Sequence, residues 1–442
     1  MQDLAKKEIL DKAKENNVQF VRLQFSDIFG VLKNVAIPVE QLARAIDGDV
    51  RFDGSSIGGF VRIEESDMYL KPDPETFTVF PWRTGVKVAR LICDVYSHDG
   101  TLFTGCPRGI LKRVLQEAVN HGYTLYIGPE LEFFLFHSDE KGRPSLETHD
   151  RGGYFDLSPA DHGENARRDI VLTLQEMGYS VEATHHEMSP GQHEIDLQYN
   201  EALKAADAVV TVRYVIRAIA QRHGLHATFM PKPLFGINGS GMHYNQSLFS
   251  GDKNVFADPG EKMGLSSTAL HYIAGLLEHA PALTAITNPT VNSYKRLVPG
   301  YHAPVFIAWS ERNRSALIRI PAERGKSTRV ELRSPDPTSN PYLAISAMLK
   351  AGLDGIKNEK NPPLPVMGNV FSLSEELKEK HCLSRLPRTL IEAIAALSQD
   401  KIIQEALGNH VYSQYVEAKT GEWSRYQEQV HHWEIDEYLT RF

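Results

Sequence analysis

Cysteine is scarce in this chain, and the three present, Cys93, Cys106 and Cys382, stand far apart. Such a distribution excludes a disulfide framework and a zinc knuckle, and it suits a reducing compartment. No stretch reaches the roughly 18 consecutive apolar residues that a membrane-spanning helix requires. The first residues, MQDLAKKEILDKAKENN, hold no apolar signal core, which predicts a cytoplasmic chain. Basic tracts are missing too. Acidic residues number 56 against 48 Lys plus Arg, for a formal net charge of −8, so nucleic acid is a poor partner and no membrane partner is expected. Repeats and low-complexity segments are absent. What remains is ordinary globular composition, 42% hydrophobic and 24% charged over 442 residues, enough for one very large domain or two to three ordinary ones.

Periodicity divides the chain. Residues 3–15 read as a short amphipathic helix. Two alternating runs, 18–25 and 31–37, flank a turn at Asp27–Gly30 and predict a hairpin. The Gly- and Ser-rich stretch 52–60 reads as a loop, and 86–95 as a further strand, so the first hundred residues form a small mixed domain. Turn signals in 97–107 mark a boundary, which gives domains of 1–103 and 104–442. Beyond it, helices are expected at 108–120, 165–177, 202–223 and 266–279, and strands at 126–136, 193–199, 316–321 and 329–333. A glycine-rich loop and a strand fill 235–248. Asn340 before Pro341 predicts a capped helix start, and most of the chain after Ser372 is helical.

Chemistry concentrates in five places. In Gly128-Pro129-Glu130-Leu131-Glu132, strand alternation puts Glu130 and Glu132 on one face, where two carboxylates in an apolar strand need a cation to stay ionised. The blander reading is a strand end facing solvent. In His185-His186-Glu187-Met188-Ser189-Pro190-Gly191-Gln192-His193-Glu194, the Pro-Gly turn lets Glu187 and Glu194 converge, and the histidines are read as surface residues outside the site. An oxygen-rich set of this kind suits a hard divalent cation. The loop Gly236-Ile237-Asn238-Gly239-Ser240-Gly241 lets backbone approach a ligand ahead of His243, although taken by itself a plain turn is the better reading. Glu331 lies between Arg329 and Arg333 on one strand face. Arg296, Arg312, Arg314 and Arg319 supply forks for carboxylate or phosphate. One motif is a decoy: Arg324-Gly325-Lys326-Ser327-Thr328 lacks the earlier glycine of a Walker loop and precedes a strand. Carboxylates, one histidine and several arginines together suit phosphoryl transfer.

The strings FDGSSIGGF, EESDMYLKPD, GPELEFFLF, HHEMSPGQHEID, HATFMPKPLFGINGSGMH, TNPTVNSYKRLVPGY, RNRSALIRIP and RVELRSPDPTSNPYLA make the chain resemble bacterial type I glutamine synthetase along essentially its whole length. The resemblance implies an α+β fold: a small N-terminal β-grasp domain and a large catalytic domain with a curved antiparallel sheet and surrounding helices. It implies a homo-dodecamer of two hexameric rings with sites between subunits, and an ATP-dependent ligation of ammonium to glutamate through γ-glutamyl phosphate. Two to three Mg2+ or Mn2+ ions per site are expected. By motif, Glu132, Glu187 and Glu194 would hold one ion and Glu130, His243 and Glu331 the second. Asn238, Gly239, Arg296, Arg314 and Arg333 would meet glutamate. Glu182, Asn245, Gln246 and Ser247, with Arg314 and Arg319, would meet the nucleotide. Asp53 of a neighbouring subunit would bind ammonium and take its proton. Arg62 sits where the shorter subclass has a feedback-inhibition arginine. Phe371 stands where longer members carry a modifiable tyrosine, so adenylylation is not expected. Family members also bind nitrogen-regulatory proteins.

One position departs from the pattern. The family flap reads Pro-Gly-Tyr-Glu-Ala-Pro, whereas this chain reads Pro299-Gly300-Tyr301-His302-Ala303-Pro304. His302 offers no fixed negative charge, though a neutral imidazole can still accept a proton. Reduced ammonium affinity and a shifted pH profile are expected; a neutral replacement in a mobile loop is the bland alternative. Two further readings remain open at this level: a γ-glutamyl ligase for another amine, such as a polyamine, and a regulatory scaffold without activity. Retention of every cation ligand argues against the scaffold, and retention of Asp53 against another amine.

Overall fold

The structure, a computed structural model, describes residues 2–60, 67–374, 376, 378 and 383–442. Arg62 and Cys382 lie outside the described residues. The first sheet has six strands: β1 (Phe20–Ser26), β2 (Leu32–Pro38), β3 (Val50–Asp53), β4 (Asp67–Pro72), β5 (Thr78–Val79) and β6 (Val88–Tyr96). Its order is β2-β1-β6-β4-β3, with β5 beside β6. β1 and β2 form the expected antiparallel hairpin, while β1 and β6 run parallel, and the helix Gln2–Glu15 precedes them. This is the β-grasp unit. Sequence periodicity passed over β3, β4 and β5, which are short and half-polar.

The second sheet has eleven strands: β7 (Thr124–Ser138), β8 (Pro144–Thr148), β9 (Val181–His186), β10 (Gln192–Leu197), β11 (Asn200–Glu201), β12 (Leu225–Thr228), β13 (Met242–Ser250), β14 (Lys253–Asn254), β15 (Trp309–Glu311), β16 (Ile318–Ile320) and β17 (Val330–Leu332). The main path is β15-β16-β17-β13-β7-β10-β9, and every pairing but β15–β16 is antiparallel. β7 is the axis, pairing with five other strands. One face of the sheet is apolar: Leu131, Phe133, Ile195, Met242 and Tyr244 are fully buried. The helices Ala202–Arg222 and Pro341–Lys357 belong to the same core. The latter opens as expected, with the Asn340 side chain accepting from the amides of Tyr342 and Leu343.

Among the contacts that tie the β-grasp unit to the rest, two stand out. Asn340 Nδ2 also donates to the carbonyl of Asp27, 3.0 Å away. There Gly30 has φ +78° and a Cβ would stand 2.8 Å from Asn340 Cα, so only glycine fits the hairpin turn. Arg108, at the start of the helix Pro107–Asn120, is buried and donates to Asp73 and Asp94 of the small unit and to Asp207 of the long helix, at 2.6, 3.1 and 2.9 Å. Removing that guanidinium would take away a cation shared by three carboxylates, of which Asp94 keeps Lys112 and Asp207 the Tyr342 hydroxyl, a loss of about 3–5 kcal/mol for a buried pair broken on one side. Among the described residues, no helix is long and apolar enough to cross a membrane.

Candidate active site

Register explains the site. On β7 the pleat turns Glu130 and Glu132 away from the apolar core. Cross-strand pairing then sets Glu132 opposite Glu194 on β10, and Glu194 opposite His185 on β9. One step along, Glu130 is opposite His243 on β13 and Asp196 on β10. Glu331 on β17 faces Asn245 and Arg319. Six carboxylates, counting Glu187 at the β9–β10 turn, thus share one polar face beside two histidines. They open on a cavity of about 350 Å³, with Glu331 buried beneath.

The hydrogen bonds are specific. His243 Nδ1 lies 2.9 Å from Glu130 Oε2, and Asn245 Nδ2 donates to Glu130 Oε1 at 2.8 Å. Glu132 Oε2 accepts from Gln192 Nε2 and from the Gly241 amide, at 2.9 and 3.0 Å. A Cβ on Gly241 would meet Arg296 Nη2 at 2.6 Å and His243 Nε2 at 2.8 Å, so this glycine admits both side chains. Glu331 accepts from Arg319 and from Arg333, one on each oxygen. Arg296 is buried and donates to the carbonyls of Ser334 and Arg333.

Charge is unbalanced here. Burial, with Glu187 beside it, pushes Glu132 up to about 8. Burial and the Glu132 charge raise Glu194 well above the usual carboxylate range. Burial and Glu130 raise Asp196 to about 7. Glu130 goes the other way: burial opposes its ionisation, but the His243 hydrogen bond and charge outweigh that and bring it to about 2. Burial and Arg333 lower His243, which keeps its imidazole available as a ligand. Asp196 Oδ1 and Gln192 Oε1 are buried with no hydrogen-bond partner. Carboxylates that resist ionisation and orphaned oxygens on one face are what a divalent cation relieves. Ligand atoms of Glu130, Glu194 and His243, and of His185, Glu187 and Glu194, lie within 4.8 Å of one another in two groups.

The remaining expected residues divide. Asn238, Gly239, Arg296, His302, Arg314, Arg319 and Arg333 line the same cavity. Glu182, Asn245 and Ser247 line an adjoining one of about 530 Å³, which also reaches Glu130. Gln246 does not belong with them. It alternates onto the apolar face of β13, is fully buried, and accepts from the Tyr272 hydroxyl at 2.7 Å. His185, read as a surface residue, is a second correction: its Nε2 stands 3.2 Å from Glu194 Oε2. His186 does turn away from the cavity, but it is fully buried against Asp150 and not at the surface. Asp53 ends β3, exposed and bonded to Ser55, and takes no part in the cavity of its own chain. His302 is exposed with φ +57°. Sequence reasoning missed Asp196, Gln192, Tyr154, Met188 and Lys232. The first two were accessible, because residues 192, 194 and 196 alternate onto one face. Tyr154, whose hydroxyl meets Arg314 at 3.3 Å, and Lys232, 3.6 Å over the Tyr301 ring, lie in loops without periodic signal.

The glutamine synthetase β-grasp domain model matches residues 17–98, and the glutamine synthetase catalytic domain model matches 104–438. Glutamine synthetase of Clostridium saccharobutylicum is 56% identical over 100% of both chains, and that of Staphylococcus aureus 56% identical over 99% of this chain and 98% of its own. Among solved structures, a GmaS/ADP complex superposes with a TM-score of 0.89 at 31% identity, covering 98% of this chain and 99% of that one. Plasmodium falciparum glutamine synthetase gives 0.87 at 27% identity, covering 99% and 98%. The chain belongs to the glutamine synthetase family, the glutamate–ammonia ligases, which use ATP and a divalent metal.

Proposed function

We propose that the carboxylate face and its arginines catalyse glutamine formation in two steps: the γ-carboxylate of glutamate attacks the terminal phosphorus of ATP and expels ADP, then ammonia attacks the acyl phosphate and expels phosphate. The observation that carries this reading is the row Glu132–Glu194 and Glu130–His243 facing Arg296, Arg314, Arg319 and Arg333 across one cavity. The donor set fits Mg2+ or Mn2+: Glu132, Glu187 and Glu194 for one ion, Glu130, His243 and Glu331 for the second, with His185 and Asp196 close by. Such ions, when bound, neutralise charge on the transferring phosphoryl group. Asn238, Gly239, Arg296 and Arg333 receive glutamate, Arg314 and Arg319 the phosphates, and Glu182, Asn245 and Ser247 the rest of the nucleotide. Arginine forks aimed at the reacting group meet charge where it develops.

Ammonium is the abundant form at neutral pH, so a carboxylate must bind it and accept a proton. We assign this to Asp53 of a neighbouring subunit in a dodecamer of two hexameric rings, with the domains divided as 1–103 and 104–442. The exposed Asp53 and the exposed apolar residues of the final helix segment, Trp433, Leu439 and Phe442 among them, support an assembly. The setting is cytoplasmic nitrogen assimilation, with glutamine feedback through Arg62 and binding of nitrogen-regulatory proteins.

Product mass tests the reading. With glutamate, ATP and Mg2+, ammonium offered beside methylamine, ethanolamine and putrescine is expected to give glutamine, ADP and phosphate. A preferred γ-glutamyl amine overturns the ammonia assignment, and folded protein that yields no product overturns the reaction.

A further inference from the structure

Beneath the carboxylate face lies a second cluster of charge that the reaction does not use. His149, Asp150, Asp161 and His193 are all buried, and their ligand atoms lie within 4.8 Å of one another. It is no cation site, because a guanidinium already occupies it: Arg167 Nη1 is 2.7 Å from Asp161 Oδ2 and 2.8 Å from His193 Nδ1. Arginine can only donate, so His193 accepts at Nδ1 and carries its proton on Nε2. That nitrogen stands 3.3 Å from His149 Nε2, and His149 Nδ1 is 2.9 Å from the Leu135 carbonyl on β7. Asp150 is the second hub. Its carboxylate accepts from the Gly191 amide at 2.8 Å, from His186 Nε2 at 3.1 Å and from the Gly152 amide at 3.3 Å, and lies 3.0 Å from His149 Nε2.

The placement follows from the β9–β10 hairpin. His186 and His193 are cross-strand partners, and each immediately precedes a cation-ligand candidate, Glu187 and Glu194. Alternation therefore sends one residue of each pair up to the cavity and the other down to the cluster. A slip of one residue would exchange the two sets. Gly191, in the connecting turn, is pinned by Asp150, and a Cβ on Gly163 would strike the His193 ring at 2.5 Å. Charges held this deep are costly unless fully paired, which makes the arrangement a demanding register lock.

We propose that Asp150 and Arg167 are positioning residues for the cation site: through His186 and His193 they fix the register of the hairpin that presents His185, Glu187 and Glu194. This rests on the assignment of those carboxylates to a divalent ion. Outer-shell partners of metal ligands are worth about 10–100-fold in affinity.

Mn2+ binding to the assembled full-length enzyme, read by EPR without substrates, tests it. Asp150→Asn is expected to weaken binding about tenfold or more and to raise the Mn2+ needed for half-maximal activity by the same factor, with a smaller loss of kcat at saturating Mn2+. Arg167→Lys, which keeps a donor, is expected to bind Mn2+ more tightly than Arg167→Gln, and this pair carries the test if Asp150→Asn fails to assemble. Val411→Ala, a core change in the distant helix Asn409–Gln427, is expected to lower the melting temperature and leave Mn2+ affinity alone. Assembled variants that bind Mn2+ like the wild type, or a Val411→Ala that weakens binding equally, overturn the proposal. Wild-type enzyme that binds no Mn2+ overturns the cation assignment and this inference with it.

Discussion

His302 occupies a backbone position at φ +57° in the Tyr301–Ala303 segment that borders the cavity. Histidine is among the few residues with a side chain that are enriched in this left-handed region, so the flap accommodates it without needing glycine. Its exposure sets the scale of what it can do. A charge on an exposed loop contributes about 0.5–1 kcal/mol to holding a partner ion, roughly a two- to fivefold effect. His302→Glu is accordingly expected to lower the KM for ammonium two- to fivefold. Steady-state kinetics at saturating ATP and glutamate measure it. An unchanged KM would make His302 a neutral replacement.

Strands carry the chemistry at the next scale, and they also show what alternation can reveal. Glu130 and Glu132 were legible because a single strand fixes which residues share a face. Glu187 and Glu194 were legible because Pro190-Gly191 folds the chain back on itself. His185 was not, since its role depends on standing opposite Glu194, a register that no local pattern encodes. Gln246 shows the opposite: it stands between Asn245 and Ser247 in one motif, yet alternation alone sends it to the core. The same strand face has a pH signature. Glu132, Glu194 and Asp196 all have folded pKa values above their unfolded ones, so between about pH 4 and 8 the folded, cation-free chain binds protons that the unfolded chain has released. Stability from these groups is present at the acid end and is lost as pH rises through about 7 for Asp196 and about 8 for Glu132, with Glu194 shifted in the same direction. A divalent cation takes the place of those protons. Melting scans in EDTA are expected to fall between pH 6 and 8.5, and added Mn2+ is expected to raise the midpoint more at pH 8.5 than at pH 6. An Mn2+ shift independent of pH would separate the ion from these carboxylates.

At the scale of the molecule, the proposed reaction makes each site a joint property of two copies of the chain. Among the described residues, the cavity's acids are the cation ligands and Asp196 beside them, and none stands apart from that face to receive an ammonium proton. Asp53 is such an acid, yet it sits exposed on the small sheet, held by Ser55 and outside its own chain's cavity. Nothing in the local pattern around Asp53 reveals this separation, because it depends on how the small sheet packs against the rest of the chain. If the site is shared, Asp53→Asn and Arg314→Ala damage different halves of it, and each homogeneous assembly should be nearly inactive. Subunits of the two variants, dissociated and reassembled in equal amounts, would bring an intact Asp53 to an intact Arg314 in about a quarter of the interfaces by random pairing. Recovered activity near that fraction, absent when the assemblies are mixed without dissociation, is the expected result. Mixed assemblies of native size that stay inactive would place both residues in one chain's site, and Asp53 would then have to reach it by a rearrangement within the subunit.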